Sequence, residues 1–231
     1  MRRDTNATAV LSPLERRRRN RNEMMAAILD AAREIMREEG AAALNLNEVA
    51  RRVSLRTPSL YAYFDSKAHL YDALFLLGIK LYGDRFRKAM SEPLPLWERL
   101  RVALETYMTF AQECPELYQL VFERPVPGFT PSEESMQASL SLLAEANALV
   151  EEAFRVEGIR MPIPFNQATD LIIALQHGLT SLHIANEPHL PAGEGRFGAL
   201  IPAAVQLLQS AWGTKSIEDV GGKDNNASHS N

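Results

Sequence analysis

The sequence predicts an all-α fold. Apolar residues recur at three- and four-residue spacing along most of the chain, and no segment alternates with the two-residue period of a strand. Prolines and glycines punctuate the periodic runs. With 46% hydrophobic and 23% charged residues over 231 positions, the composition is that of an ordinary globular chain.

Residues 1–20 have no apolar periodicity and end in Arg16, Arg17, Arg18 and Arg19, with Arg21 just beyond. Like-charge repulsion predicts an open, flexible basic arm here. From Glu23 onward, Met25, Ile28, Leu29, Ala32, Ile35 and Met36 mark one face of an amphipathic helix that stops at Gly40. Asn45-Leu46-Asn47-Glu48 reads as a capping box, opening a short second helix over about Leu46–Val53. Ser54, Leu55 and Arg56 leave room only for a tight turn. Thr57-Pro58 then reads as an N-cap followed by the first helical position, where proline's missing N–H costs nothing. Leu60, Tyr61 and Phe64 continue at helical spacing. Asp65 or Ser66 can cap the next helix, whose apolar positions are Leu70, Leu74, Leu77 and Leu81.

Beyond Met90 the helical pattern persists. Thr130-Pro131-Ser132-Glu133 is a further cap, opening a helix to about Arg155. Phe165–Ala185 is apolar almost all round, and Phe197–Trp212 is similar, with Pro202 marking either a kink or the true first turn. Two such helices call for a partner surface, which a second copy of the chain would supply. The resulting division is a basic arm over 1–20, a domain of short helices over 21–67, a larger helical domain over 68–213, and a disordered tail over 214–231.

The net charge of −4 is unevenly placed. Residues 1–67 hold 13 Lys+Arg against 9 Asp+Glu, and the remainder 12 against 20. A basic N-terminal third on an acidic body is the layout expected when one end meets a polyanion. Two short helices joined by a tight turn, behind a longer supporting helix in that basic third, form a helix-turn-helix. Leu60 and Phe64 would anchor the second short helix to Ile28, Ile35, Val49 and Val53. Thr57, Ser59, Tyr61 and Tyr63 would then be free to bond phosphates or base edges, with Lys67 placed for a phosphate. Tyr61 and Tyr63 have a packing reading as well, and Arg51 and Arg52 read as a solvated face. The arginine run reads as a phosphate-binding arm or a minor-groove arm.

The stretch GAAALNLNEVARRVSLRTPSLYAYFDSK, Gly40 to Lys67, resembles the DNA-binding segment of the TetR family of transcriptional regulators. The family's features align without a gap onto Gly40, Asn45, Val49-Ala50, Ser54-Leu55-Arg56, Ser59-Leu60-Tyr61, Tyr63-Phe64 and Ser66-Lys67. Ser54 stands where the family has its turn glycine, and Arg56 replaces a serine and adds charge beside the groove. The resemblance implies DNA contacts at Asn45, Asn47, Thr57, Pro58, Ser59, Tyr61, Tyr63 and Lys67, with Arg56 added by its position. Asn47 would read either adenine or a phosphate.

The resemblance also implies a C-terminal helical bundle that dimerises and holds an effector. Pro115–Phe122 and Gln176-His177-Gly178 resemble a subtype with a Trp-His-Gly signature, Gln176 standing in place of the tryptophan. Candidate pocket residues are Trp97, Met108, Tyr118, Phe122, Gln176 and His177. The plainer reading of the aromatic residues, Met108 and His177 is core packing. The expected function is a ligand-responsive repressor, released from a pseudopalindromic double-stranded DNA operator by a small apolar effector and acting as a homodimer. The rival is an effector-independent DNA-binding or architectural protein working through protein partners. No nucleophile–base pair, phosphate loop or metal-ligand spacing points to an enzyme or a cofactor. Cys114 stands alone, and no run has the length of a membrane span or the pattern of a secretory signal, so the expected location is the cytoplasm with no membrane partner.

Overall fold

The computed structural model describes residues 12–159 and 162–212, and among these residues there are helices and loops but no strand. The helices are α1 (Pro13–Glu39), α2 (Leu46–Arg52), α3 (Thr57–Leu60), α4 (Lys67–Ser91), α5 (Leu96–Glu113), α6 (Pro115–Tyr118), α7 (Glu133–Val156), α8 (Phe165–Asn186), α9 (Gly195–Gly198) and α10 (Ile201–Trp212). A 3-10 turn covers Ala41–Ala43 and a π-helical turn Gln119–Glu123. The chain forms two compact units. Of the described residues, one holds 12–78 together with Pro115–Ser135, and the other holds Ile79–Cys114 with 136–159 and 162–212. The helix-turn-helix lies wholly within the first.

The open arm expected over residues 1–20 is corrected where it is described: Pro13 to Asn20 are the first turns of α1. The Ser12 hydroxyl accepts from the Glu15 N–H at 3.3 Å, and the Glu15 carboxylate accepts from the Ser12 N–H at 2.8 Å. At the carboxylate itself, the Ser12 hydroxyl foremost and then the Ser12 N–H hold the Glu15 carboxyl below its ordinary range. Pro13 occupies the first helical position, where it is pre-shaped for a helix. Arginine is a good helix former, and exposed charges fanned around a helix repel weakly through water, so the capped nucleus prevails. Residues 1–11 of the expected arm and the expected tail over 214–231 lie outside the described residues.

Gly40 closes α1 at φ 94°, its N–H reaching Met36 O at 2.9 Å. In α2 the cap is half the expected box. Asn45 Oδ1 accepts from the Asn47 N–H at 2.9 Å, while the Glu48 carboxylate takes Arg51 and Arg52. Ser54, in the glycine position, sits at φ 56° in the left-handed region. That conformation costs an L-residue about 1–2 kcal/mol, partly offset by glycine's greater entropy loss on folding. Ser54→Gly should therefore stabilise the chain by roughly 0.5–1 kcal/mol. A urea midpoint that fails to rise would contradict the strain. The N-cap of α3 is Arg56, not Thr57, and both Thr57 and Pro58 lie inside the first turn. Thr57 is drawn inward because its hydroxyl bonds Asn47 (Oγ1 to Oδ1, 2.9 Å).

Ile28, Ile35, Val49, Leu60, Phe64, Leu70 and Leu74 form the first unit's interior, all essentially without exposure. Each large apolar side chain so buried contributes about 1.5–3 kcal/mol. Arg52 joins α1 to α2 by pairing with Glu34 and Glu38 as well as Glu48. The segment after Pro115 belongs to this unit. Glu116, 1% exposed, accepts from Arg33 Nε at 2.8 Å and from Arg37 Nε and Nη2 at 2.8 and 2.9 Å. A Cβ on Gly78 would lie 2.7 Å from Val121 Cγ2, so α4 and the π-helical turn meet as closely as they do only over a glycine. Asp72 accepts from both the N–H and the hydroxyl of Ser132 at 2.8 Å. The Ser132 hydroxyl in turn accepts from the Ser135 N–H, so Ser132 and not Thr130 caps α7.

The second unit packs α5, α7, α8 and α10 around Leu100, Leu104, Met108, Phe154, Ile172, Val205, Leu208 and Trp212. Its last stretch is two helices rather than one, and Pro202 stands in the first turn of α10, where it removes no helical hydrogen bond.

Candidate nucleic-acid interface

The helix-turn-helix is built on two buried side chains of the α3 segment, Leu60 at 0% and Phe64 at 1% exposure. The Phe64 ring meets His69 edge to face at 5.6 Å. With these two turned inward, Arg56, Pro58, Ser59, Tyr61 and Lys67 are exposed, and Thr57 and Tyr63 are half-buried. Asn45 and Asn47, at the start of α2, are exposed too. The expected anchor Val53 is only half-buried, whereas Ile28, Ile35 and Val49 are fully enclosed.

A short polar chain links α2 to α3: the Thr57 hydroxyl donates to Asn47 Oδ1, and the Asn47 N–H donates to Asn45 Oδ1. It holds three of the expected contact residues in fixed relation. With its carbonyl oxygen engaged by Thr57, Asn47 keeps its two amide N–H groups for an acceptor, which suits a phosphate oxygen. Tyr63 is held by Arg21, whose guanidinium lies 5.2 Å from the ring centroid and whose Nη1 donates to Ala62 O at 2.8 Å. Lys67 Nζ lies 5.6 Å from the Tyr71 ring, and Tyr71 itself donates to Ala41 O at 2.8 Å.

The basic residues of α2 serve another purpose. Glu48 accepts from Arg51 at 2.7 and 2.8 Å and from Arg52 at 3.0 Å, and these bonds, Arg51's first, draw its carboxyl down to about 2. Both guanidiniums are engaged in ion pairs within the protein. The interface is thus made of hydroxyls, amides and aromatic edges with Arg56 and Lys67 as its cations, a set that can bond phosphates and read base edges.

The candidate pocket residues fall in two places. Tyr118 and Phe122 belong to the first unit, their rings 5.8 Å apart. Trp97, Met108, Gln176 and His177 belong to the second. Met108 is fully buried and Trp97 packs edge to face on Phe154 at 5.4 Å. His177 Nδ1 and the Tyr107 hydroxyl are 3.0 Å apart. Gln176 hydrogen-bonds the phenol of Tyr82, which burial pushes up to about 12. A cavity of about 260 Å³ in this unit is lined instead by Arg85, Val102, Glu105, Thr106 and Thr109. Arg21 and Arg52 serve as ties within the protein where the sequence suggests an open arm and a solvated face, and Glu116 carries no local signal; the spacing of Glu48 and Arg52 is the visible sign for one of the three. Among the described residues, no helix is long and apolar enough to cross a membrane.

Residues 28–74 match the family described as "Bacterial regulatory proteins, tetR family". The HTH-type transcriptional activator FasR of Mycolicibacterium smegmatis is 31% identical over 103 residues, covering 45% of this chain and 47% of FasR. The match thus spans about half of that relative's length. The crystal structure of a regulatory protein, SCO4313, superposes with a TM-score of 0.67 at 25% identity, over 84% of this chain and 98% of that one. FadR of Bacillus subtilis, solved in complex with stearoyl-CoA, superposes with a TM-score of 0.62 at 16% identity, over 79% and 96%. The family match takes in α2, α3 and the helices that carry them, and SCO4313 extends the likeness in fold through the C-terminal helices: over residues 28–74 this chain carries the helix-turn-helix domain of the tetR family of bacterial regulatory proteins.

Proposed function

We propose that this regulator binds a pseudopalindromic operator as a homodimer, represses by occupying it, and is released when a small apolar effector enters the C-terminal helical unit. The observation that carries the DNA half of this reading is the surface over Leu60 and Phe64, where Asn45, Asn47, Arg56, Pro58, Ser59, Tyr61 and Lys67 all stand exposed. Thr57 and Tyr63 complete it from half-buried positions. Two copies would place their α3 helices about 34–36 Å apart, one turn of B-DNA, or at a multiple of that spacing.

The dimer reading is supported by two apolar stripes in the second unit. Leu171, Leu175, Gly178, Leu182 and Ala185 follow one side of α8, and Ala203, Leu207 and Ala211 one side of α10, with Leu200 in the turn just before it. Leu171, Leu182, Leu200 and Leu207 are 44–66% exposed. Stripes of this kind on a chain's own surface mark association sites.

For the effector, the supporting group is the linked set Tyr82, Tyr107, Gln176 and His177, in which Tyr82 and Tyr107 also meet edge to face at 5.3 Å. A ligand entering among these side chains would exchange partners with them. FadR's stearoyl-CoA makes acyl thioesters the first class to test. Release then follows from linkage: an effector that prefers the conformation with misplaced α3 helices weakens DNA binding by the free energy with which DNA weakens effector binding, typically about 1–3 kcal/mol.

The experiment is binding-site selection with the purified chain, followed by release of the selected duplex against acyl-CoA thioesters and a metabolite library. Specific binding with release by one class of compound supports the reading. Specific binding that no compound reverses favours the effector-independent alternative, and absence of specific binding removes the proposal. In a purified transcription assay, addition of the protein should lower output from a promoter overlapping the site. Increased output would reverse the sign, FasR being named an activator.

A further inference from the structure

The first two turns of α1 extend beyond the core that holds the helix-turn-helix. Every residue from Ser12 to Glu23 is exposed, and α1's buried positions begin only at Ile28. A projecting piece with no core of its own must be held by its cap and by side-chain ties, and both are present. The Ser12–Glu15 box fixes its start. Arg21 fixes it to the recognition segment, donating to Ala62 O and lying over the Tyr63 ring. The extension is therefore a helix tied to the recognition segment at Ala62 and Tyr63, not a tether of arbitrary direction.

Helical geometry sorts its arginines. Arg17 and Arg18 precede Arg21 by four and three residues, so all three share the side that meets Tyr63, the first two standing about 6 and 4.5 Å from Arg21 along the axis. Arg16 and Arg19 point elsewhere, and Arg19 is engaged at 3.4 Å by Glu23. Among the described residues neither Arg17 nor Arg18 has an acidic partner. Three cations aligned on one face, beside a surface built to meet DNA, repel one another unless a polyanion lies along them.

We infer that the N-terminal extension of α1 is a second DNA-binding element, in which Arg17 and Arg18 neutralise phosphates flanking the groove occupied by α3. The inference rests on the DNA-binding reading above and adds a footprint to it. The ligand is the backbone of the same duplex, so the extension contributes affinity and salt dependence without base selectivity.

The test is fluorescence anisotropy with the full chain and its selected duplex over a series of salt concentrations, comparing wild type, Arg17→Ala/Arg18→Ala and the charge-matched Arg16→Ala/Arg19→Ala. Alanine keeps the helix, which circular dichroism would verify. Each lost phosphate contact lowers the slope of log affinity against log salt by about 0.9, so the first pair should lower it by about 2 per bound protomer. The second pair should change it by less than half as much, and neither should change the selected sequence. An unchanged slope for Arg17→Ala/Arg18→Ala, or equal reductions by the two pairs, would overturn the inference while leaving α3 recognition standing. Failure of the wild type to bind any duplex would overturn both.

Discussion

Glu116→Gln should lower the stability of the folded chain by about 3 kcal/mol, the lower end of what is lost when one partner of a buried ion pair is removed. Glu116 is 1% exposed and faces two guanidiniums from α1, so a neutral amide removes the charge that both arginines face and turns an NH2 group toward a guanidinium at one of the two oxygen positions. The lower end applies because the Arg37 side chain is 41% exposed and water screens part of its loss. Thermal unfolding followed by circular dichroism should shift down on the order of 10 °C. A loss under about 0.5 kcal/mol, the size of an ordinary surface substitution, would show that the pair does not hold the Pro115–Tyr118 helix to α1.

The double variant Leu182→Arg/Leu207→Arg should be monomeric. Both leucines are prominent on the exposed stripes of α8 and α10, and arginine at either is compatible with a solvent-facing helix in an isolated chain. Across a two-fold interface the introduced charges would meet like charges and be desolvated, costing several kcal/mol. The dimer dissociation constant should therefore rise at least about a hundredfold, since each 1.4 kcal/mol is a factor of ten. Light scattering after gel filtration reads the mass directly. A variant that remains dimeric at micromolar concentration would move the interface elsewhere on the chain.

What could be read beforehand follows a physical line. Leu60 and Phe64 were legible as anchors because burial repeats with helical period, and α8 was legible almost end to end because apolar residues fall on nearly all its sides and Pro164 and Glu187 bound it. The start of α1 was not, since Arg16 to Arg19 drew attention to repulsion while Ser12-Pro13-Leu14-Glu15 carried a complete capping box. Thr57 was misplaced by one position because its hydroxyl serves Asn47 instead of its own helix. The role of Glu116 depends on two arginines about 80 positions away, a contact that no local pattern announces. The candidate pocket residues are hardest to read, because an aromatic or methionine side chain at helical spacing looks the same whether it borders a ligand or only its neighbours.

Recognition of DNA by the exposed side of the α3 segment is read most directly from the affinity of Tyr61→Ala for the selected operator. Tyr61 is 47% exposed, so its truncation leaves the core over Leu60 and Phe64 intact. Anisotropy titration at fixed salt should show binding weakened by at least about tenfold, the loss of a base-edge or sugar contact worth roughly 1–3 kcal/mol, with helicity and dimer mass unchanged. Wild-type affinity for the operator in Tyr61→Ala, and likewise in Thr57→Ala, would contradict recognition by this helix.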